Sequence, residues 1–222
     1  MNDLTKSFVK MLATYIDEST MRVLHSTTPW KLPPLLLIGS EDSIFFKSVK
    51  KKFDLYNVPC IIRDHFVQPC GGVIIDNDNI KDGIGLSEEL DIDCMYHNGM
   101  SCVSYAIFTL IEHSAKIDGA KITIVGRGHA VKNLKEFLES RGANVVVAHS
   151  KTEDMYKATS NKDIVVYATP RLTQEIAHDT HELVIDLSDC VPYPKLLNCP
   201  YVNRIGTLTT SIILNRYVRS VV

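Results

Sequence analysis

The sequence has almost no net charge and no long apolar segment. Its 222 residues include 24 Lys and Arg and 26 Asp and Glu, which leaves a net charge of −2 at pH 7. This balance gives no support to a nucleic-acid partner or to binding at an anionic membrane surface. No apolar run is long enough to span a bilayer, and the first residues lack the apolar core of a signal peptide. The sequence therefore predicts a cytoplasmic protein.

Cysteine pairs at short spacing are also missing. The six cysteines form no Cys-x-x-Cys motif, so the sequence predicts neither a zinc site nor a disulfide framework. Free thiols and no bound metal are the expectation. The cysteines are Cys60, Cys70, Cys94, Cys102, Cys190 and Cys199.

A strand, a glycine turn, a helix and a second strand follow one another over residues 119–152. Residues 121–125 are rich in β-branched side chains, and the turn at 126–128 contains two glycines. Apolar residues then recur at helical spacing up to Arg141, and residues 144–148 form a second apolar run. This order predicts a parallel βαβ unit, in which ligands bind at the carboxyl ends of the strands.

The glycine turn is an incomplete dinucleotide fingerprint. Gly126 and Gly128 occupy two of the three glycine positions and Val131 the third, and a plain strand-to-helix turn also uses glycine. No acid follows the second strand to bind a ribose hydroxyl, and basic and hydroxyl side chains stand there instead. This set favours NADP over NAD because it suits a 2′-phosphate; the alternative is a set of solvated loop residues. The side chains are Arg127, His149, Ser150 and Lys151, and Thr152 ends the loop.

Strand and helix alternate along the whole sequence. Strands are predicted at 35–38, 60–63, 72–76, 121–125, 144–148, 163–168 and 183–186, and helices at 4–25, from 44, at 103–113, 131–141 and 172–177, and from 206. The alternation predicts an α/β fold with parallel sheets and flanking helices. A fresh strand after a complete helix near residue 115 indicates two lobes, the second of them a Rossmann-like domain.

Several short motifs occur in a recognisable order. Ser43, Phe46 and Lys50 stand at the spacing of a Ser-x-x-Tyr-x-x-x-Lys helix, and residues 91–94 are similar to an Asp-Val-Asp-Gly segment. Further matches are His97-Asn98-Gly99, residues 102–106, Gly126-Arg127-Gly128, residues 149–152, 163–166, 184–186 and 206–209, and Asn215. By the order and spacing of these motifs the chain resembles the bifunctional methylenetetrahydrofolate dehydrogenase/cyclohydrolase family over nearly its whole length.

The resemblance implies a folate one-carbon enzyme with two activities. Such an enzyme oxidises 5,10-methylenetetrahydrofolate with NADP and hydrolyses 5,10-methenyltetrahydrofolate to 10-formyltetrahydrofolate. The implied domains are a folate-substrate (catalytic) domain at residues 1–114, an NAD(P)-binding Rossmann-like domain at 115–205, and a C-terminal helix at 206–222 that packs back on the first domain. A homodimer is also implied.

The family's site residues carry over motif by motif. The catalytic positions are Lys50, which would manage a proton beside the substrate cation, and Asp93, which would bind the pterin N–H groups. Phe46 and Asp76 fall at substrate-binding positions. The alternatives are that Lys50 is a solvated surface lysine and Asp93 a turn-capping acid. The cofactor-binding positions are Gly126, Arg127, Gly128, His149, Ser150, Lys151, Thr152, Ile205 and Gly206.

Two departures from the family leave a second function open. Phe46 replaces the family's catalytic tyrosine, so the hydroxyl is absent, and most of a Pro-Val-Pro-Gly-Gly loop is missing before Ile205. The alternative is therefore an impaired or inactive family member that retains only nucleotide or folate binding. An unrelated small NAD(P)-dependent oxidoreductase is a third hypothesis, against which the absent third glycine and the absent ribose acid argue.

Overall fold

The structure of the protein is a computed structural model that describes residues 3–75, 86–172, 174–177, 181–192, 194, 197 and 199–222. Within these residues the chain forms six α-helices and eight β-strands. The helices are α1 (Asp3–Leu24), α2 (Ile44–Leu55), α3 (Cys102–Ser114), α4 (Leu134–Ser140), α5 (Met155–Thr159) and α6 (Gly206–Val221). The strands are β1 (Leu35–Ile38), β2 (Cys60–Arg63), β3 (Gly72–Ile75), β4 (Lys121–Val125), β5 (Asn144–Ala148), β6 (Ile164–Tyr167), β7 (Leu183–Asp186) and β8 (Tyr201–Asn203). None of the described helices has the length and apolarity needed to cross a membrane.

The chain divides into two compact units. The first unit comprises Met11–Cys102 and Gly206–Val222, and the second comprises Met1–Lys10 and Val103–Ile205. Each unit contains one sheet. Helix α6 therefore belongs to the first unit, although the whole of β4 to β8 precedes it in the sequence.

The sheet of the first unit has the strand order β2-β1-β3, and both strand pairs are parallel. The central strand β1 is the sequence Leu-Leu-Leu-Ile, and its four side chains are buried. A fully apolar run is typical of a strand that is covered on both faces, because no side of it meets water. Helix α2 packs against β2 and α6.

Helix α2 begins after Ser43 because the side chain of this residue accepts a hydrogen bond from the backbone N–H of Phe46 at 3.3 Å. Its buried face consists of Phe46, Val49 and Phe53. The ring of Phe53 lies 5.3 Å from the ring of Tyr217 in α6. Aromatic packing therefore joins α2 to the C-terminal helix inside the first unit.

A mostly buried ion pair ties three helices of the first unit together. The ammonium of Lys52 in α2 lies 2.7 Å from a carboxylate oxygen of Asp17 in α1 and 2.9 Å from the hydroxyl of Ser211 in α6. The exposed fractions of the Lys52 and Asp17 side chains are only 11% and 14%. Removing one partner of such a pair lowers the free energy of unfolding, because the charge of the other partner then stays buried without compensation.

The sheet of the second unit has the strand order β5-β4-β6-β7-β8, and every pairing is parallel. The chain leaves β4 for β5 on one side and returns to pair β6 with the other side of β4. The carboxyl end of β4 is therefore the topological switch point of the sheet. Ligands of open α/β sheets bind at this position because the loops diverge there and leave a crevice.

The predicted α/β fold with parallel sheets and flanking helices is confirmed. Strands β1, β2, β4, β5 and β7 have the bounds that the sequence predicts. The predicted helix at 172–177 is wrong, because the described residues in that range are not helical. Helix α5 and strand β8 were not predicted, since five and three residues are too short to show a period.

The helix predicted at 131–141 begins later than expected. A single 3₁₀ turn occupies His129–Val131, and Asn133 adopts a left-handed conformation with φ of 58° before α4 starts at Leu134. A left-handed residue interrupts the helical path, because consecutive helical residues need negative φ. The glycine turn therefore does not lead directly into the helix N-terminus.

We expect Lys52→Met to lower the free energy of unfolding by about 2–3 kcal/mol, because it leaves the Asp17 carboxylate without its cation. Chemical denaturation followed by circular dichroism measures the change. Lys47→Met is the matched control on the same helix, since Lys47 pairs with Asp42 at exposed fractions of 58% and 98%. Equal effects of the two substitutions would contradict the role of the buried pair.

Candidate functional site

An open groove of about 400 Å³ lies at the carboxyl end of β4. It is bounded by β4, by Val147 of the neighbouring strand β5, and by the segment that leads into α4. This is the switch point of the five-stranded sheet, where the strand order predicts a ligand site. The groove is lined by Ile124, Gly126, Arg127, Gly128, His129, Val131, Lys132, Asn133, Lys135, Glu136 and Val147.

The two glycines of the turn have different physical roles. Gly126 has φ of 126°, and a Cβ built on it would lie 2.4 Å from the carbonyl oxygen of Ala168. No L side chain fits there, so Gly126 allows the turn to pass close to the chain that follows β6. Gly128 has ordinary φ, and no heavy atom lies within 4 Å of the position that its Cβ would take. Gly128 therefore leaves open space beside a groove-lining backbone.

The charge of the groove is mainly positive. Arg127, Lys132 and Lys135 line it together with one acid, Glu136. The ring of His129 also lines the groove. The sequence prediction included only Arg127 of this set. The other basic residues were not predicted, because the sequence motif ends at the glycine turn and shows nothing of the groove that the following segment lines.

The second predicted cofactor segment, residues 149–152, forms a hydrogen-bonded turn after β5. The hydroxyl of Thr152 accepts a hydrogen bond from the backbone N–H of His149 at 2.9 Å. The Nδ1 atom of His149 accepts one from the N–H of Lys151 at 3.1 Å. Ser150 and Lys151 are exposed. The parallel register pairs Val125 with Ala148, so this turn and the glycine turn follow neighbouring strand ends, although residues 149–152 do not line the groove itself.

A buried carboxylate organises another loop at the carboxyl edge of the same sheet. Asp186, at the end of β7, is fully buried. One of its oxygens accepts hydrogen bonds from the N–H groups of Ser188 and Cys190 at 3.1 and 3.2 Å. The other accepts from the N–H of Val191 at 2.9 Å and from the hydroxyl of Tyr201 at 2.8 Å. Burial and this last hydrogen bond raise the pKa of Tyr201. Asp186 lies in the motif matched at residues 184–186, but neither it nor Tyr201 was predicted as a site residue.

The two remaining predicted cofactor residues belong to different units. Ile205 is buried and ends the second unit, whereas Gly206 is the first residue of α6 in the first unit. Neither residue is among those that line the groove at β4. Their assignment to cofactor binding stays a prediction.

The polar segment of residues 91–102 in the first unit is held by two buried carboxylates. Asp91 accepts hydrogen bonds from the N–H groups of Met95 and Tyr96 at 2.7 and 2.8 Å. The same carboxylate lies 3.0 Å from Nδ1 of His97. Burial alone would raise the pKa of Asp91, but the backbone donors and His97 outweigh it and hold the pKa below its usual value. Asp91 therefore fixes the turn as an ionised carboxylate.

Asp93 has a related contact at the other end of this segment. Its Oδ1 atom accepts a hydrogen bond of 2.6 Å from the N–H of Cys102, the first residue of α3, and Asp93 is only 7% exposed. This contact matches the turn-capping alternative for Asp93. The same hydrogen bond also fixes the position of the carboxylate, as the predicted role of Asp93 in pterin binding would require.

The predicted site residues on α2 lie in different environments. The ammonium of Lys50 lies 3.0 and 3.3 Å from the two carboxylate oxygens of Asp54 and 3.4 Å from the carbonyl oxygen of Cys60. Its side chain is 44% exposed. Phe46 is fully buried. Asp76, the other predicted substrate residue, lies outside the described residues.

Comparison with known protein families identifies the second unit. The family described as tetrahydrofolate dehydrogenase/cyclohydrolase, NAD(P)-binding domain, matches residues 101–190. In this part the chain is therefore similar to the NAD(P)-binding domain of tetrahydrofolate dehydrogenase/cyclohydrolase proteins. The matched residues include the whole groove at β4, so the site derived from the geometry lies in the part of the chain that the family defines.

Curated relatives of the family extend the similarity beyond this domain. The bifunctional protein FolD of Thermosipho africanus is 28% identical over 163 residues, which cover 61% of this chain and 60% of that protein. FolD 1 of Desulfitobacterium hafniense is 27% identical over 166 residues, which cover 61% and 59% of the two chains. The aligned part of the chain thus spans about 60% of the length of these relatives.

Solved structures of the family share the fold. FolD of Campylobacter jejuni, a methylenetetrahydrofolate dehydrogenase/cyclohydrolase, superposes with a TM-score of 0.70 at 14% identity, and covers 98% of this chain and 96% of its own. The Trypanosoma brucei enzyme, solved with NADP and an inhibitor, gives 0.70 at 16% identity and covers 97% and 95%. The NAD-dependent enzyme of Saccharomyces cerevisiae gives 0.72 at 12% identity and covers 98% and 95%.

We expect Gly126→Ala to destabilise the protein by about 2–4 kcal/mol, because the backbone is left-handed there and the new Cβ meets the Ala168 carbonyl. Gly128→Ala is the control, and its effect should stay within about 0.5 kcal/mol, since the space beside Gly128 is open. Denaturant unfolding of the two variants measures the difference. A Gly126→Ala variant as stable as Gly128→Ala would show that the close approach does not constrain the turn.

Proposed function

We propose that this chain is a folate one-carbon enzyme. It oxidises 5,10-methylenetetrahydrofolate with NADP and hydrolyses 5,10-methenyltetrahydrofolate to 10-formyltetrahydrofolate. The observation that carries the proposal is the basic groove at the switch point of β4, which lies inside a domain of the NAD(P)-binding family. The proposal includes a homodimer, which rests on the family resemblance, and a cytoplasmic location, which rests on the sequence.

The groove fits a phosphorylated dinucleotide. Gly128 leaves its backbone uncovered, so a phosphate can come close to the main chain, and Arg127 and the two groove lysines supply positive charge. No acid follows β5 to bind a free ribose hydroxyl; His149 and Ser150 stand there instead. These residues would hold NADP, with the turn at 149–152 toward the 2′-phosphate. When bound, NADP supplies the hydride acceptor for the oxidation.

The first unit supplies the groups that this proposal assigns to the folate. Asp93 is held rigidly by the N–H of Cys102, and its second carboxylate oxygen would accept hydrogen bonds from the pterin ring. Both partners of Lys50, the Asp54 carboxylate and the Cys60 carbonyl, are hydrogen-bond acceptors. Lys50 therefore acts as a donor in this arrangement, and in the hydrolysis it would donate to the folate intermediate from Nζ.

A second candidate function is binding without turnover. Phe46 is fully buried and carries no hydroxyl, so it supplies no acid or base at the position of the family's tyrosine. Most of the loop before Ile205 is absent as well. The second candidate is therefore a protein of this fold that binds NADP or folate but lacks one or both activities. Both candidates predict binding of NADP or folate, and they differ in whether the protein converts the folate substrate.

We expect NADP to bind more tightly than NAD, and Arg127→Ala to remove at least half of that preference in free energy, because a charged hydrogen bond to the 2′-phosphate is lost. Gly128→Ala should weaken both nucleotides about tenfold, since its methyl group occupies the approach to the backbone. Calorimetric titration measures the affinities. Lys116→Ala, a change at an 80% exposed lysine before β4, is the control. Absence of nucleotide binding by the wild-type protein would overturn the proposed function.

We expect Lys50→Met to lower the cyclohydrolase rate at least about 100-fold, because a group that donates to the reacting folate is lost. Lys51→Met, at the exposed neighbouring position on α2, should leave the rate unchanged. Hydrolysis of 5,10-methenyltetrahydrofolate is followed by its absorbance. Full activity in Lys50→Met would rule out the role given to Lys50, and no hydrolysis by the wild-type protein would favour binding without turnover.

A further inference from the structure

Arg216 of α6 reaches into the turn that carries Asp93. Its Nη1 atom donates a hydrogen bond of 2.8 Å to the carbonyl oxygen of Met100 and lies 3.4 Å from that of Ile92. The two carbonyls lie on opposite sides of the turn, one directly before Asp93 and the other near the start of α3. A single guanidinium group therefore closes the turn across 116 residues of sequence.

The same nitrogen also contacts the two cysteines that flank the turn. It lies 3.5 Å from the sulfur of Cys102 and 3.8 Å from that of Cys94. Cys94 follows Asp93 directly and has φ of 53°. A left-handed residue other than glycine persists only where its surroundings hold it. Arg216 is one of the groups that provide this support.

These contacts leave Asp93 fixed from two sides. Its carboxylate accepts from the N–H of Cys102 at 2.6 Å, and Arg216 binds the carbonyl that precedes Asp93 and the one two residues before Cys102. Loss of the guanidinium would remove this donor from the Met100 carbonyl, leave the Ile92 carbonyl with the weak thiol donor of Cys102 at 3.6 Å, and allow the backbone around Asp93 to shift. Hydrogen bonds from a charged donor are about twice as strong as neutral ones, so this support is substantial.

We infer that Arg216 is a positioning residue: it holds the turn at 92–102 so that the Asp93 carboxylate meets the pterin ring of the folate. The inference rests on the proposed function, because it assigns the folate to Asp93. Arg216 itself touches neither the substrate nor the cofactor in this role. It acts through the backbone on either side of Asp93.

The experiment compares Arg216→Met with Arg219→Met. Arg219 is an exposed arginine on the same helix, and it hydrogen-bonds to Asn215 at 3.1 Å and to Ser19 at 3.2 Å, away from the turn. We expect Arg216→Met to raise KM for 5,10-methenyltetrahydrofolate about tenfold with kcat within about twofold, because Asp93 contributes to binding of the folate in ground and transition states alike. Arg219→Met should leave both constants unchanged.

A second readout needs no folate. Cys102 is fully buried, so its reaction with a small alkylating reagent reports opening of the turn. We expect the alkylation rate of Cys102 to rise about tenfold in Arg216→Met and to stay unchanged in Arg219→Met. Peptide mass spectrometry assigns the label to Cys102. Should Arg216→Met fail to fold, Arg216→Lys replaces it and is expected to change both readouts in the same direction by a smaller factor.

The two readouts separate the inference from the proposed function. Faster alkylation together with a raised KM supports the positioning role. An unchanged alkylation rate would show that Arg216 does not hold the turn closed. A raised alkylation rate with an unchanged KM would show that Arg216 does not position Asp93 for the folate. A lowered kcat at unchanged KM in the folded variant would also overturn the positioning role, because binding of the folate would then not depend on Arg216. If the wild-type protein neither binds nor converts folate, the proposed function and the assignment of Asp93 are wrong, and the alkylation rates alone decide whether Arg216 holds the turn.

Discussion

The site of the second unit depends on one close approach of two backbones. Gly126 passes so near the carbonyl of Ala168 that no side chain fits between them, and its own N–H bonds to the carbonyl of Ala148 at 2.8 Å. The turn is thereby held between the ends of the strands on either side of β4. This constraint fixes the start of the segment in which Arg127 and Gly128 line the groove.

The first unit reaches a comparable rigidity by side chains. Asp91 fixes the turn through backbone N–H groups, and Asp93 fixes the start of α3. Because the hydrogen bonds hold the pKa of Asp91 below its usual value, this support is complete at neutral pH and is lost only as the pH falls through that lowered pKa. The turn that carries Asp93 is thus itself built on a second, buried carboxylate.

The two units differ in how closely they follow the chemistry of the family. The groove at β4 combines an uncovered glycine backbone with an excess of positive charge, which suits a dinucleotide phosphate. On α2, by contrast, Phe46 is buried without a hydroxyl, while Lys50 donates to Asp54 and Cys60. In the proposed function, the chemical steps therefore depend most on Lys50, because Phe46 supplies no acid or base.

Hydrophobic runs and glycine turns are local, and they determined strands β1, β2, β4, β5 and β7 and the place of the glycine turn, because a buried strand bounded by turns is visible within a few residues. The sequence did not predict where α4 begins, because left-handed Asn133 interrupts the helix although the apolar spacing remains helical. Lys132 and Lys135 line the groove together with the glycine turn, and the sequence motif gave no sign of this. Arg216 contacts the turn around Asp93 from a helix more than a hundred residues away. Only tertiary structure decides such convergence, because it depends on contacts between distant segments that no local pattern records.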